Sequence, residues 1–354
     1  MKHLAQTALA LLFVLRISGA APADFQTGAD AASKGDFATA MKEWTVAANA
    51  GNAEAQYNLG ALLISGKAGT PDIQNGAKWI EKAANQGHTE AAYSLGMIFY
   101  AGLGEQIKPD PKRAYQAFQL AANKGHPDSQ YNIGVMLMNG QGVKQDLPAA
   151  ATWFRKAADR GSAQAQFNLG ILNVTGRGVK KDIDAAFQWF LKAANQDYPP
   201  AQYSVARMYM EGQGTTQDAA VAKTWFARAA DKGSVEAKYA LGIFSYVGVG
   251  GPKNLTDAYK WFESAAKGWD RNAQFQLGKM YMDGEEVKTD LVEAYKWFDL
   301  AASAGHEDAH FMRAAVATKI SADDKARAKK LAQEWFDANH QTPHKHYDMT
   351  PHRH

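Results

Sequence analysis

A glycine recurs along this chain at a nearly fixed interval, and that interval limits the folds open to it more than any other feature. Gly60, Gly96, Gly134, Gly170, Gly242 and Gly278 each follow an aromatic-x-apolar step, and Ala206 holds the same slot in one copy. Successive anchors lie 36, 38, 36, 36, 36 and 36 residues apart. A chain repeating at this period folds as stacked supersecondary units, each burying its apolar face against its neighbours. Such a stack offers a long surface and no central pocket, which favours binding over chemistry.

The unit is clearest in residues 127–162. Tyr131, Ile133, Gly134, Leu137 and Met138 fall at helical spacing. Gly140 and Gly142 then end the helix and supply the positive φ of a tight turn. Asp146 follows, in a slot that also holds Asp36, Asp72, Asp110, Asp182, Asp218, Asn254 and Asp290. An Asp or Asn there predicts an N-cap for a second helix. That helix carries a Trp-Phe pair and then Ala-Ala, intact at Trp153-Phe154, Trp189-Phe190, Trp225-Phe226, Trp261-Phe262 and Trp297-Phe298. It closes on a glycine suited to a left-handed C-cap: Gly51, Gly87, Gly125, Gly161, Gly233 or Gly305, with Asp197 and Trp269 in the same place in two copies.

The expected architecture is therefore all-α: a right-handed α/α superhelical solenoid of about nine antiparallel helix pairs over residues 24–339. Residues 24–51 read as a degenerate first pair around Trp44, and 306–339 as a last pair with Trp335-Phe336 near its end. Residues 1–23 read as a cleaved signal peptide, with Lys2 and His3 before an apolar run from Leu4 to Leu15 and small residues after it. Cysteine is absent. An exported chain of this length without disulfides suits a bacterial periplasm, and no later segment is apolar enough for stable membrane insertion. Leaving aside Lys2 and Arg16 in the leader, basic and acidic residues nearly balance, which excludes an electrostatic footprint for nucleic acid.

Ala53-Glu54-Ala55-Gln56-Tyr57-Asn58-Leu59-Gly60, then GxGV-xx-D, then A-xx-WF-xKAA-xxG, resembles the Sel-one-like repeat family, a relative of the tetratricopeptide repeat. The resemblance covers roughly residues 24–339. It implies the right-handed superhelix and an adaptor role, because exported bacterial members are similar in serving as scaffolds, envelope-assembly factors or regulators of signalling proteins. Some cysteine-rich members carry a β-lactamase label, and this chain lacks all of those cysteines.

Two local motifs imitate catalytic sites. His306-Glu307-Asp308-Ala309-His310 matches H-E-x-x-H, but it straddles the terminator slot of Gly305, and zinc chemistry needs both histidines on one helix. Ser264-Ala265-Ala266-Lys267 matches S-x-x-K without its companion motifs, and its alanines are the repeat's own pair. No catalytic residue and no cofactor is expected. Residues 340–354 read as a disordered histidine-rich tail, in which His344, His346, His352 and His354 are weak metal candidates.

A protein or peptide partner in the cell envelope is expected on the first helices. Asn58, Asn132, Asn168 and Ser204 precede their anchors by two residues, where carboxamides can bracket an extended backbone, or else tie neighbouring helices together. Tyr100, Arg207, Tyr246 and Lys279 stand one or four residues after an anchor. Trp269 is either an exposed hot spot or a plug between copies. A glycan gripped by Trp269 and Tyr246 is the alternative ligand, and a cell-wall or β-lactam hydrolase is the remaining reading.

Overall fold

The computed structural model describes residues 23–340, which form eighteen α-helices; the only β-structure among them is one isolated bridge. The expected leader, apart from Ala23, and the tail's metal candidates His344, His346, His352 and His354 lie outside the described residues. The chain divides into two compact units, 1–182 and 183–354.

In the first unit the helices are α1 (Ala23–Ser33), α2 (Phe37–Asn49), α3 (Ala53–Ser65), α4 (Ile73–Asn85), α5 (Thr89–Ala101), α6 (Pro111–Asn123), α7 (Pro127–Asn139), α8 (Leu147–Asp159) and α9 (Ala163–Thr175). Each odd-numbered helix from α1 to α7 packs on the even-numbered helix after it, and each even-numbered helix then packs on the next first helix. The second unit holds α10 (Ile183–Ala194), α11 (Pro199–Glu211), α12 (Ala219–Asp231), α13 (Val235–Val247), α14 (Leu255–Lys267), α15 (Arg271–Asp283), α16 (Leu291–Ser303), α17 (Ala309–Ala317) and α18 (Ala322–His340). Here α11, α13 and α15 are the first helices, packed on α12, α14 and α16.

The anchor glycines explain the pairing. A Cβ added at Gly134 would stand 2.6 Å from the Phe154 ring, one at Gly242 2.5 Å from Phe262, and one at Gly278 2.7 Å from Phe298. In these three pairs and at Gly96–Phe118 the phenylalanine thus sits on bare backbone, and Phe118, Phe154, Phe262 and Phe298 are fully buried. In the α3–α4 pair, where Ile80 stands in for phenylalanine, Gly60 instead meets Gly76 backbone to backbone.

The expected caps form. The side chains of Asp36, Asp72, Asp110, Asp146, Asp218, Asn254 and Asp290 each accept an N–H from the first turn of the helix that follows. The terminator glycines have positive φ, from +80° at Gly305 to +95° at Gly233. Asp197 and Trp269 keep that geometry without being glycine, at +57° and +68°. The two extra residues of the 38-residue copy fall in the α5–α6 turn, where Leu103 and Ile107 exchange backbone hydrogen bonds at 2.7 and 3.1 Å.

The last pair departs from expectation. α17 packs on α16 as a first helix should, but α18 also docks chiefly on α16 and does not close over α17. Its Trp335 ring lies 5.3 Å from Trp297 and 5.4 Å from Trp269, and Phe336 lies 5.1 Å from Trp269. Trp269 is therefore a plug beneath the terminal helix.

Candidate protein-binding surface

Residues six and two before the anchor, and one after it, lie at i, i+4 and i+7 on one stripe of a first helix. The anchor faces the second helix, so this stripe, more than 90° around the axis, faces away from it. In the first unit the stripe reads Glu54, Asn58, Ala61 on α3; Glu90, Ser94, Met97 on α5; Asp128, Asn132, Val135 on α7; and Gln164, Asn168, Ile171 on α9. Three of the four first positions are carboxylates (Glu54, Glu90 and Asp128), three of the four second positions are asparagines (Asn58, Asn132 and Asn168), and the third positions are apolar; Ala61 and Ser94 are buried, and Lys and Arg are absent from all three rows. Ile171 is 37% exposed.

Neighbouring stripes are tied together at their polar edge. Asn168 hydrogen-bonds the Tyr131 hydroxyl. Tyr57 and Ser94 hydroxyls meet at 3.5 Å, and the Asn132 amide lies 4.0 Å from the Met97 sulfur. Asn58 donates to the Glu54 carbonyl of its own helix. The asparagines thus serve the array's internal bonding, and each carboxamide has more donors and acceptors than these contacts use.

Two histidines contribute a junction that the repeat pattern alone does not reveal. His88 Nδ1 accepts from the Ala91 N–H, its Nε2 bonds the Glu54 carboxylate at 2.9 Å, and its ring stacks on Tyr57. His126 repeats this one copy on, with Ser129, Glu90 and Tyr93. Burial pushes the Tyr93 hydroxyl up to about 12, helped by Asp128 and Glu90 beside it. A histidine at the start of one repeat, spaced to reach a glutamate at the start of the previous one, was the available signal.

The other candidates are also engaged. Tyr100 rests on Phe118 and its hydroxyl donates to Gln141. In the second unit Arg207 pairs with Glu211 one turn on, at 2.8 Å and well exposed. Lys279 is half-buried on the corresponding stripe of α15. Tyr246 donates to Glu285 and lies under Lys253; the Glu285 bond, reinforced by burial, pushes its hydroxyl up to about 12. Of the two imitated catalytic motifs the first comes apart, while Ser264 and Lys267 stay one turn apart on α14. His306 stacks on Phe275 ahead of α17 while His310 lies within it, and Lys267 pairs with Glu263. Among the described residues no three His, Asp or Glu converge as a metal site, and no helix is long and apolar enough to cross a membrane.

The Sel1 repeat model matches residues 53–88, 89–126, 127–162, 163–198, 199–234, 235–268 and 271–306. This chain belongs to the Sel1 repeat family. A Sel1 repeat protein from Oxalobacter formigenes is 31% identical, with a TM-score of 0.68 over 88% of this chain and 89% of its own. The structure of c5321, described as a protective antigen of uropathogenic Escherichia coli displaying an SLR fold, is 28% identical; its TM-score is 0.78 over 96% of this chain and 71% of its own. No curated protein matches. Sel1 repeats mediate protein interactions, and most members of the family are non-catalytic scaffolds.

Proposed function

We propose that this Sel1 repeat protein is an exported scaffold or regulator in a bacterial cell envelope, holding a segment of another protein along its first helices with no bond made or broken. The observation that supports the reading is the triple row of the first unit, which repeats once per helix pair. An extended segment finds carboxamides for its backbone, apolar positions for alternate side chains, and carboxylates that no Lys or Arg neutralises, two of which lie beside the imidazoles of His88 and His126. The favoured partner segment is therefore apolar with basic residues beside it. The glycan alternative loses its support, because the Trp269 ring is covered by Trp335 and Phe336 and the Tyr246 ring by Lys253.

The test is crosslinking in the native envelope followed by mass spectrometry. One dominant protein partner, lost when Asn132 and Asn168 become alanine and Ile171 becomes aspartate, is the expected result. A co-purifying glycan, or capture indifferent to these changes, rejects the reading.

A further inference from the structure

α17 is a first helix that no second helix covers among the described residues. Its residues fall 36 after those of α15, so Ala309 and Val316 take the buried slots of Ala273 and Met280 and pack towards α16. In the same register Ala314 holds the anchor slot and Phe311 the aromatic slot of Tyr93, Tyr131, Tyr203, Tyr239 and Phe275. Those five rings lie 5.5–6.0 Å from a second-helix phenylalanine. Phe311 is 75% exposed. With Ala314, Ala315 and Thr318 it forms a stripe at i, i+3, i+4 and i+7, all of it open. A stack needs a polar face on its last repeat, and this face is the one that every complete repeat covers.

The occupant's chemistry can be read from the second helices that cover such a face elsewhere. Ala150, Phe154, Ala157 and Ala158 on α8 recur as Ala258, Phe262, Ala265 and Ala266 on α14 and as Ala294, Phe298, Ala301 and Ala302 on α16, each of them fully or almost fully buried. The shared pattern is Ala-x3-Phe-x2-Ala-Ala, in which the small pair lets the backbones close while the ring lies on the anchor. α18 has Ala332 and Phe336, but Asn339-His340 replace the alanine pair, and Phe336 is spent on Trp269.

We propose that the open face of α17 is a docking site for an amphipathic helix of a partner protein carrying Ala-x3-Phe-x2-Ala-Ala. It continues the series of first-to-second helix contacts by one more step, with the acceptor already held in place by α16, so little ordering is needed on binding. The site is separate from the stripes of the first unit, and its test is independent of theirs.

A fluorescein-labelled peptide spanning residues 146–161, titrated into the full chain and followed by anisotropy, is the probe. Saturable binding is expected, weakened at least tenfold by Ala314→Arg in the chain and to a similar degree by Phe154→Ala in the peptide. Ala314 is exposed, so the variant should retain the parent's circular dichroism spectrum; Phe311→Ser serves as a second variant should it not. Failure to saturate, or binding indifferent to both chain variants, overturns the proposal. Sedimentation gives a further outcome: a dimer of the parent chain that Ala314→Arg makes monomeric would place a second copy on this face and overturn the assignment to a partner.

Discussion

Three residues hold a backbone conformation that glycine holds elsewhere in the repeat: Asp197, Trp269 and Glu286, with φ of +57°, +68° and +66°. Left-handed backbone is disfavoured for side chains with a Cβ, most of all bulky ones. Each of the three gains a contact between neighbouring elements. Asp197 pairs with Lys232 at 3.1 Å, Glu286 accepts from the Thr256 hydroxyl at 2.8 Å, and Trp269 lies under α18. The departure of Asp197 and Trp269 from glycine was visible in the sequence, but what each side chain touches was not, because the partner residues lie about 35 to 67 positions away. A second residue-scale feature is Asp270, the cap of α15, whose burial raises its carboxyl above the usual range. A raised folded-state value makes the carboxylate a liability at neutral pH, and the liability fades as pH falls through that value towards 3.8. Asp270→Asn keeps a capping oxygen, so it is expected to raise Tm at pH 7, with the gain shrinking as the pH is lowered through the carboxylate range. An unchanged or lower Tm at pH 7 would contradict this.

At the scale of the element, the helix pair is set by one aromatic ring on one glycine. Adding a Cβ at Gly134, 2.6 Å from Phe154, overpacks a filled contact. Gly134→Ala is therefore expected to cost about 1–3 kcal/mol in denaturant unfolding. The terminal helix obeys a different rule. Trp269→Gly removes two aromatic contacts with α18, worth together about 1–3 kcal/mol. Faster amide exchange confined to α18, with α3–α8 unchanged, is the expected result; exchange that rises evenly along the chain would show that Trp269 supports the array and not the helix. The sequence announced α18 through Trp335-Phe336 but put it on the wrong partner. Trp335-Phe336 carries the repeat signature, but Asn339-His340 stand where the alanine pair would let two backbones close, and that difference sends α18 to α16.

At the scale of the whole molecule, the helices within each unit pack mostly on their sequence neighbours, so a lesion should stay local. Phe154→Ala, which empties the fully buried ring site between α7 and α8, is expected to cost about 3–5 kcal/mol where it is felt. Hydrogen exchange should rise over α7–α9, while α13–α16 keep their protection. A single loss of protection across both units would contradict nearest-neighbour stability. The sequence by itself determined the helix count, the caps, the turns and the anchor glycines, because each depends on residues within one 36-residue period. It also placed the candidate asparagines on one stripe, since helical periodicity fixes which residues share a face. Only the tertiary structure decided that Asn132 and Asn168 reach the neighbouring first helix while Asn58 bonds its own, that Trp269 is covered, and that among the described residues the Phe311 face of α17 is open. Those outcomes depend on which surfaces of different repeats come into contact, and a local pattern does not specify that choice.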